Sequence, residues 1–221
     1  NQNAHDFSAQ HIEELTSMLQ LCQENGTRLL LISAPKTTLD VVSYETYFDD
    51  YAYFKQLAAQ YGASYYDFNL AKPELFENKE PDYHKDFTHM NAAGGHAFSL
   101  SMAKFLAMLD AGQDVESLFE TPSEYLVAVN YITNVYLTPE VHPDKILLLA
   151  GSYHGPSVQA EYEFWVKAPG ESEYSRVSAY STRSWTEYAA AEHGTYQFRV
   201  NARIVGSSAD FERYYECSVD F

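Results

Sequence analysis

The chain is poor in cysteine and has no long apolar segment. Its 221 residues include two cysteines, Cys22 and Cys217, which stand close to opposite ends of the sequence. Two such residues cannot form the dense disulfide framework of a small secreted domain, and we expect both to be free thiols. No apolar run approaches the roughly 20 residues that a membrane-spanning helix needs, so the sequence predicts no transmembrane segment.

Basic residues are also scarce. The chain has 14 Lys and Arg residues against 31 Asp and Glu residues, a formal net charge of −17. Both halves of the chain are acidic. Residues 1–122 include 18 acidic and 7 basic residues, and residues 123–221 include 13 acidic and 7 basic residues. Because no basic stripe is present to follow phosphate groups, we predict no nucleic-acid partner and no docking on an anionic membrane.

The first 110 residues alternate between helix-type and strand-type patterns. Apolar residues at helical spacing predict helices over residues 8–24 and 44–61, and a third helix after Asn91. Short apolar or aromatic runs predict strands over residues 28–35 and 64–68. This order is typical of an α/β domain with a flavodoxin-like, three-layer arrangement around a parallel sheet. Two strands leave backbone groups unpaired on both sides, so we expect upstream residues or another chain to complete the sheet.

An aspartate and a histidine, Asp86 and His89, stand three residues apart immediately before the third predicted helix. A carboxylate in that position can meet one imidazole nitrogen, fix the ring tautomer and stabilise the protonated ring, as in a Ser-His-Asp centre. Asp86 can instead act only as a negative charge at the positive end of the helix dipole, which stabilises the helix by about 0.3–1 kcal/mol. His84, His89 and His96 are spaced too widely for a compact chelating motif, so no metal and no cofactor are predicted.

The motif and its surroundings resemble the C-terminal half of SGNH (GDSL-like) hydrolases. In that family a strand with a proline turn, a helix, a short strand and a loop lead to Asp-x-x-His at the entrance of the last helix. The continuation Met90-Asn91-x-x-Gly94 is similar to the form in bacterial cell-surface members, including those that move acyl groups on envelope polysaccharides. The resemblance covers residues 8–110. It implies that His89 is the general base and that Asp86 is its orienting carboxylate.

The nucleophile that such a centre needs is missing from this pattern. No Gly-Asp-Ser stretch precedes His89, and no Gly-x-Asn-Asp stretch supplies oxyanion donors. Ser33 lies at the carboxyl end of a predicted strand, where α/β proteins bind ligands, but Pro35 follows it. A nucleophile turn leads straight into a helix, so we expect the serine to lie upstream of Asn1 rather than at Ser33.

In the second half of the chain, helical spacing gives way to a strict alternation of apolar and polar residues. Apolar and polar residues alternate over residues 161–167 and 195–204, and turn-prone clusters separate some six or seven short strands, which predicts an all-β sandwich. Further strands are predicted over residues 125–131, 145–150, 174–180 and 211–219. The Gly194-x-Tyr196 strand resembles those of immunoglobulin-like, fibronectin type III-like and triple-tyrosine domains. Trp165 falls on the polar face, where it either packs on the sheet or stacks on a sugar ring.

These patterns predict an α/β domain over residues 1–110, a linker over 111–122 and a β-sandwich accessory domain over 123–221. The resemblance implies an extracellular or cell-surface esterase or O-acyltransferase that acts on carbohydrate or cell-envelope polymer, with the nucleophilic serine outside this chain. The alternative is a non-catalytic extracellular binding or scaffolding protein, in which the α/β domain is degenerate and the β-sandwich meets glycan or a partner protein.

Overall fold

The computed structural model describes residues 8–84 and 88–221. Two units divide the chain, one ending at Tyr125 and the other formed by Leu126–Phe221. The helices are α1 (Ala9–Glu24), α2 (Thr38–Ser43), α3 (Tyr47–Gln60), α4 (Ala92–Asp110) and α5 (Pro122–Ala128). The strands of the first unit are β1 (Leu30–Ser33) and β2 (Ser64–Asp67).

Polar caps and glycines set the ends of the long helices. The Ser8 hydroxyl accepts a hydrogen bond from the first turn of α1, and the Asn91 side chain accepts two from the first turn of α4. Such caps satisfy amide groups that have no partner inside the helix. Gly26 and Gly62 follow α1 and α3 with φ angles of 64° and 69°, which other residues rarely adopt.

The two strands of the first unit run parallel to each other. Their register pairs Leu30 with Ser64 and Ser33 with Asp67, so both strands end at the same edge. Behind them lies an aromatic core in which the rings of Tyr66 and Phe105 meet edge to face at 4.8 Å. The predicted mixture of helices and strands is confirmed for this half, and α2 is an additional short helix.

Residues 111–122, expected as a linker, contribute to the first unit. Val115 is 3 % exposed and belongs to the same core as Tyr66 and Phe105. The Glu120 amide donates to the Leu70 carbonyl at 2.8 Å. The segment is rich in acidic residues, so its composition predicted a linker and did not indicate that some of its apolar residues are buried.

The second unit contains two antiparallel sheets. Its strands are β3 (Ile132–His142), β4 (Lys145–His154), β5 (Ala160–Lys167), β6 (Ser175–Ser181), β7 (Trp185–Tyr188), β8 (Thr195–Ile204) and β9 (Arg213–Asp220). One sheet has the order β3-β4-β7 and the other β6-β5-β8-β9. Buried side chains from both sheets, such as Leu148 and Phe198, form one hydrophobic core, so the β-rich character predicted for this half is confirmed.

The strand predicted over residues 125–131 is wrong, because the chain forms α5 at its beginning. The Thr121 hydroxyl accepts from the Glu124 amide at 3.2 Å, and the Glu124 carboxylate accepts from the Thr121 amide at 2.7 Å. This reciprocal capping box starts a helix and outweighs the strand preference of the residues that follow. β3 and β7 were not predicted from the sequence.

The two cysteines, Trp165 and the apolar content of the helices were each the subject of a sequence prediction. Cys22 and Cys217 are both unbridged and lie in different units. Trp165 is half-buried on its strand, and its indole Nε1 donates to Glu163 Oε2 at 2.9 Å. Among the helices that the structure describes, none is long and apolar enough to cross a membrane.

Candidate active site

A cleft of about 560 Å³ opens in the first unit beside the carboxyl ends of β1 and β2. Ser33 and the turn that follows it form one wall, and α3 forms another. Thr88, His89 and Met90 complete the lining. The cleft therefore joins the end of the parallel sheet to the segment that carries the predicted general base.

Under the cleft lies a buried polar network built on Asp67 and Asn69, which are 2 % and 4 % exposed. Asp67 Oδ1 accepts from the Asn69 amide at 3.0 Å and from Asn69 Nδ2 at 2.7 Å, while Asp67 Oδ2 accepts from the Tyr47 hydroxyl at 2.8 Å. Nearly every bonding position of the carboxylate is used inside the protein. A fully bonded buried network of this kind holds its members in one arrangement.

Asn69 also fixes the wall of the cleft. Its Oδ1 accepts from the Lys36 amide at 2.7 Å, and its Nδ2 lies 3.2 Å from the Ala34 carbonyl oxygen. The turn between Ser33 and α2 is thereby tied to Asn69, the second residue after β2. A change at Asn69 is expected to move the wall rather than only the network.

Burial controls the protonation of the groups in this network. Burial raises the pKa of Asp67 above its ordinary value of 3.8, although the hydrogen bonds from Asn69 and Tyr47 act in the opposite direction. Burial, and then the charge of Asp67, raises the pKa of Tyr47 and of Tyr65 well above the ordinary value for a phenol. Both tyrosines are therefore neutral hydrogen-bonding groups at physiological pH.

His89 is exposed and lies where the cleft meets the segment before α4. Its carbonyl accepts from the His84 amide at 2.9 Å, and Tyr83 and Met90 form an antiparallel bridge beside it. The Asn91 amide donates to the Asp82 carbonyl at 2.9 Å. These backbone contacts hold the described part of the loop against the start of α4.

Asp86, the second residue of the predicted pair, lies outside the described residues. Its contact with the imidazole of His89 therefore stays a prediction. Within the ranges 8–84 and 88–221, no group of three or more His, Cys, Asp or Glu side chains is arranged to hold a metal ion.

Ser33 shares the cleft with His89, but its surroundings differ from those of a nucleophile turn. Its hydroxyl shares a hydrogen bond of 2.7 Å with the Tyr65 hydroxyl. The turn runs on to Thr37, which caps α2, so Ser33 does not stand at a helix start. Ser64 has a glycine, Gly62, two positions before it, but it begins β2 at the end of the strand away from the cleft.

The sequence did not single out Asp67 or Asn69 as site residues, nor Asp50, which lines the cleft. A carboxylate on the last residue of a strand followed by an amide side chain two positions later was the available signal. This pattern indicates a functional site only once the parallel pairing of β1 with β2 is known, because that pairing places Asp67 opposite Ser33.

No protein-family model matches the chain, and no curated protein matches it.

Proposed function

We propose that the chain is part of a bacterial extracellular or cell-surface enzyme of the SGNH (GDSL-like) type. Its reaction is the hydrolysis or transfer of acyl esters on a carbohydrate or cell-envelope polymer. The observation that carries the proposal is the position of His89 at a cleft beside the carboxyl ends of two parallel strands. Ligands of α/β proteins bind at this edge of the sheet.

In the proposed reaction His89 is first a base and then an acid. It takes the proton from a serine hydroxyl while the serine oxygen attacks the acyl carbonyl carbon, and Asp86 orients the charged ring. The bond to the alcohol then breaks, and the departing oxygen receives the proton from His89. Water or a second hydroxyl group repeats the sequence on the acyl-enzyme, which gives hydrolysis or transfer.

The serine is expected outside these 221 residues, and the sheet supports the same view. In the part of the chain that the structure describes, β1 and β2 pair only with each other. Apolar strands such as Leu30–Ser33 ordinarily lie inside a larger parallel sheet. We therefore propose that further strands, from the same gene product or from another chain, pair with β1 or β2.

The second unit is proposed to be a fibronectin type III-like accessory domain. Three strands face four in the orders β3-β4-β7 and β6-β5-β8-β9, as in a Greek-key sandwich. Tyr196, near the start of β8, donates its hydroxyl hydrogen to the Glu192 carbonyl at 2.9 Å. A tyrosine that bonds back to the backbone a few residues upstream is typical of the corner in such sandwiches.

The second candidate function is that of a non-catalytic binding protein. The turn after β1 favours it, because Ser33 is engaged by Tyr65 and no serine of the described residues stands at a helix start beside the cleft. In this alternative the cleft holds a glycan or a partner group that is not transformed.

The test compares histidine variants in the natural gene product that contains these residues, with a small acetyl ester as substrate. Loss of a general base lowers turnover about 10²–10⁴-fold, so His89→Ala is expected to reduce turnover by that factor with an unchanged melting temperature. His96→Ala is the matched control, because His96 is exposed on α4 and does not line the cleft. Equal turnover of the wild type and His89→Ala contradicts the proposal, and the absence of any ester turnover favours the binding protein.

A further inference from the structure

One side of the four-stranded sheet in the second unit carries polar side chains. On β5 and β8 the core residues, such as Phe164 and Val200, alternate with residues that lie on the opposite side of the sheet. Six of these residues form what we call the β5–β8 face: Glu161, Glu163, Trp165, Arg199, Asn201 and Arg203. Antiparallel pairing sets Glu163 directly opposite Asn201 at the centre of this face.

The two polar residues at the centre of the β5–β8 face are buried although they lie on the side away from the core. Glu163 and Asn201 are each 7 % exposed. Glu163 Oε2 accepts from Trp165 Nε1 at 2.9 Å and from Asn201 Nδ2 at 3.3 Å. Glu163 Oε1 lies 3.5 Å from Arg176 Nη1. Both oxygens of the carboxylate therefore have partners inside the protein.

The side-chain oxygen of Asn201 has no such partner. Because an ionised carboxylate only accepts hydrogen bonds, Asn201 must turn its Nδ2 toward Glu163, and its Oδ1 points elsewhere. Among the residues that the structure describes, none donates to this buried oxygen. A buried acceptor without a donor costs about 1–3 kcal/mol, so a donor from outside the chain is favoured at this position.

Aromatic rings border this centre. Tyr214 pairs with Asn201 on β9, lies on the same side of the sheet and is 51 % exposed. The guanidinium carbon of Arg199 lies 5.0 Å from the centroid of the Tyr214 ring. That of Arg203 lies 3.9 Å from the centroid of the Tyr180 ring. Flat apolar rings beside a few fixed polar groups suit a ligand that has both apolar faces and hydroxyl groups.

The arginines around this centre are paired with acidic residues. Each lies against one glutamate: Arg203 Nε donates to Glu161 Oε1 at 2.7 Å, Arg199 Nε donates to Glu216 Oε1 at 2.7 Å, and Arg176 Nη1 lies 3.5 Å from Glu163 Oε1. Because each of these positive charges is matched by a negative one, the three pairs favour an uncharged ligand over an ion.

We propose that the β5–β8 face binds an uncharged carbohydrate, with a sugar hydroxyl donating to Asn201 Oδ1 and a sugar ring packing on Tyr214. The hydroxyl supplies the donor that Asn201 lacks. The C–H groups of a sugar ring pack on the face of an aromatic ring. Asn201 Oδ1 is covered in the unbound chain, so the ligand must displace a neighbouring side chain, and Tyr214 is the exposed one opposite it.

The first experiment uses the unaltered 221-residue chain and four tetrasaccharides. Three are uncharged, namely cellotetraose, mannotetraose and N-acetylchitotetraose, and the fourth, tetragalacturonate, is an anion. Each is titrated separately, with binding followed by calorimetry. At least one uncharged tetrasaccharide is expected to bind with a Kd of about 1 mM or lower, and about ten-fold more tightly than tetragalacturonate. No binding of the three uncharged ligands, or tighter binding of the anion, overturns the proposal.

The second experiment assigns the binding to the β5–β8 face with variants of one strand. Tyr214→Leu removes the ring and is expected to weaken binding of the preferred tetrasaccharide about ten-fold. Tyr215→Leu is the matched control, because Tyr215 is 43 % exposed but pairs with Val200 on the other side of the sheet. The control is expected to bind as the wild type does. Equal affinity of Tyr214→Leu and the wild type contradicts the inference.

Asn201→Ala removes the acceptor itself and is also expected to weaken binding about ten-fold. Its thermal unfolding is compared with that of the wild type, because the substitution also removes a donor to Glu163. If this variant does not unfold cooperatively, Tyr214→Leu decides the question. A folded Asn201→Ala with wild-type affinity shows that the sugar does not reach Asn201 and contradicts the proposed contact.

Sugar binding is measured without any ester, so its outcome is separate from that of the proposed reaction. Ester turnover without sugar binding at the β5–β8 face overturns only this inference. Sugar binding that is lost in Tyr214→Leu supports the inference whether or not the chain belongs to an esterase.

Discussion

Gly94 lies directly against the backbone carbonyl of Asp82, so closely that a Cβ atom at position 94 would overlap the carbonyl oxygen. Gly94 is in the first turn of α4, and Asp82 precedes the segment that leads to His89. The same carbonyl accepts from the Asn91 amide. A residue without a side chain at position 94 is therefore what allows the loop to pack on the helix.

Gly94→Ala is expected to destabilise the first unit and to displace His89. Forcing a methyl group into a packed backbone contact costs about 1–3 kcal/mol of unfolding free energy. The displacement should also lower ester turnover in the natural gene product. Both effects are measured by denaturant unfolding and by turnover of a small acetyl ester.

Gly95→Ala is the matched control, because a Cβ atom at position 95 meets nothing within 4 Å. Alanine is the better helix former, and this variant is expected to gain up to about 1 kcal/mol. If the two alanine variants are equally stable, the loop is not held by Gly94 in the way described.

Asp67 should make stability depend on pH. Its pKa is raised in the folded protein above the ordinary 3.8, mainly by burial. Its contribution to stability is therefore fully present below the unfolded pKa and is lost as pH rises through the folded pKa. Asp67→Asn has no such proton, so its stability relative to the wild type is expected to improve as pH rises from about 4 toward neutrality.

The measurement for Asp67 is urea unfolding of the wild type and the variant at a series of pH values. Asp49→Asn changes an exposed carboxylate and is expected to show no comparable trend. A stability difference between wild type and Asp67→Asn that is constant across this range contradicts a raised pKa for Asp67.

Residues 126–221, expressed alone, are expected to fold as an all-β unit. Their buried side chains, such as Ile146 and Phe198, form a hydrophobic core from two sheets of the same unit. Cooperative thermal unfolding with a β-type circular dichroism spectrum is the expected result. A helical spectrum or a non-cooperative transition is inconsistent with an independent core.

Sequence periodicity predicted most elements of the fold, because burial on one face leaves a repeat of two or of 3.6 residues. It predicted α1 and α3, the helix α4 that begins after Asn91, and the alternating strands β5 and β8. It failed where a local contact outweighs the pattern, as in the Thr121–Glu124 capping box that begins α5. It also missed β3, whose Pro139 argues against a strand but is accommodated on a strand at the edge of its sheet.

The site was less predictable than the fold. Asp86 and His89 are close in sequence and form a recognisable motif. Asp67 meets Tyr47 across 20 positions, and the Lys36 amide meets Asn69 across 33. The order of elements predicted a parallel sheet, but only the register of β1 against β2 places these residues at and under one cleft, and no local pattern encodes that register.

The most direct test of a serine centre at this cleft is covalent labelling of the natural gene product with a fluorophosphonate probe, followed by mass spectrometry. A serine is labelled at a useful rate only when a neighbouring base activates it. The account predicts a single labelled serine, labelling abolished in His89→Ala and unchanged in His96→Ala. Equal labelling of the wild type and His89→Ala, or no labelled serine in the wild type, contradicts it.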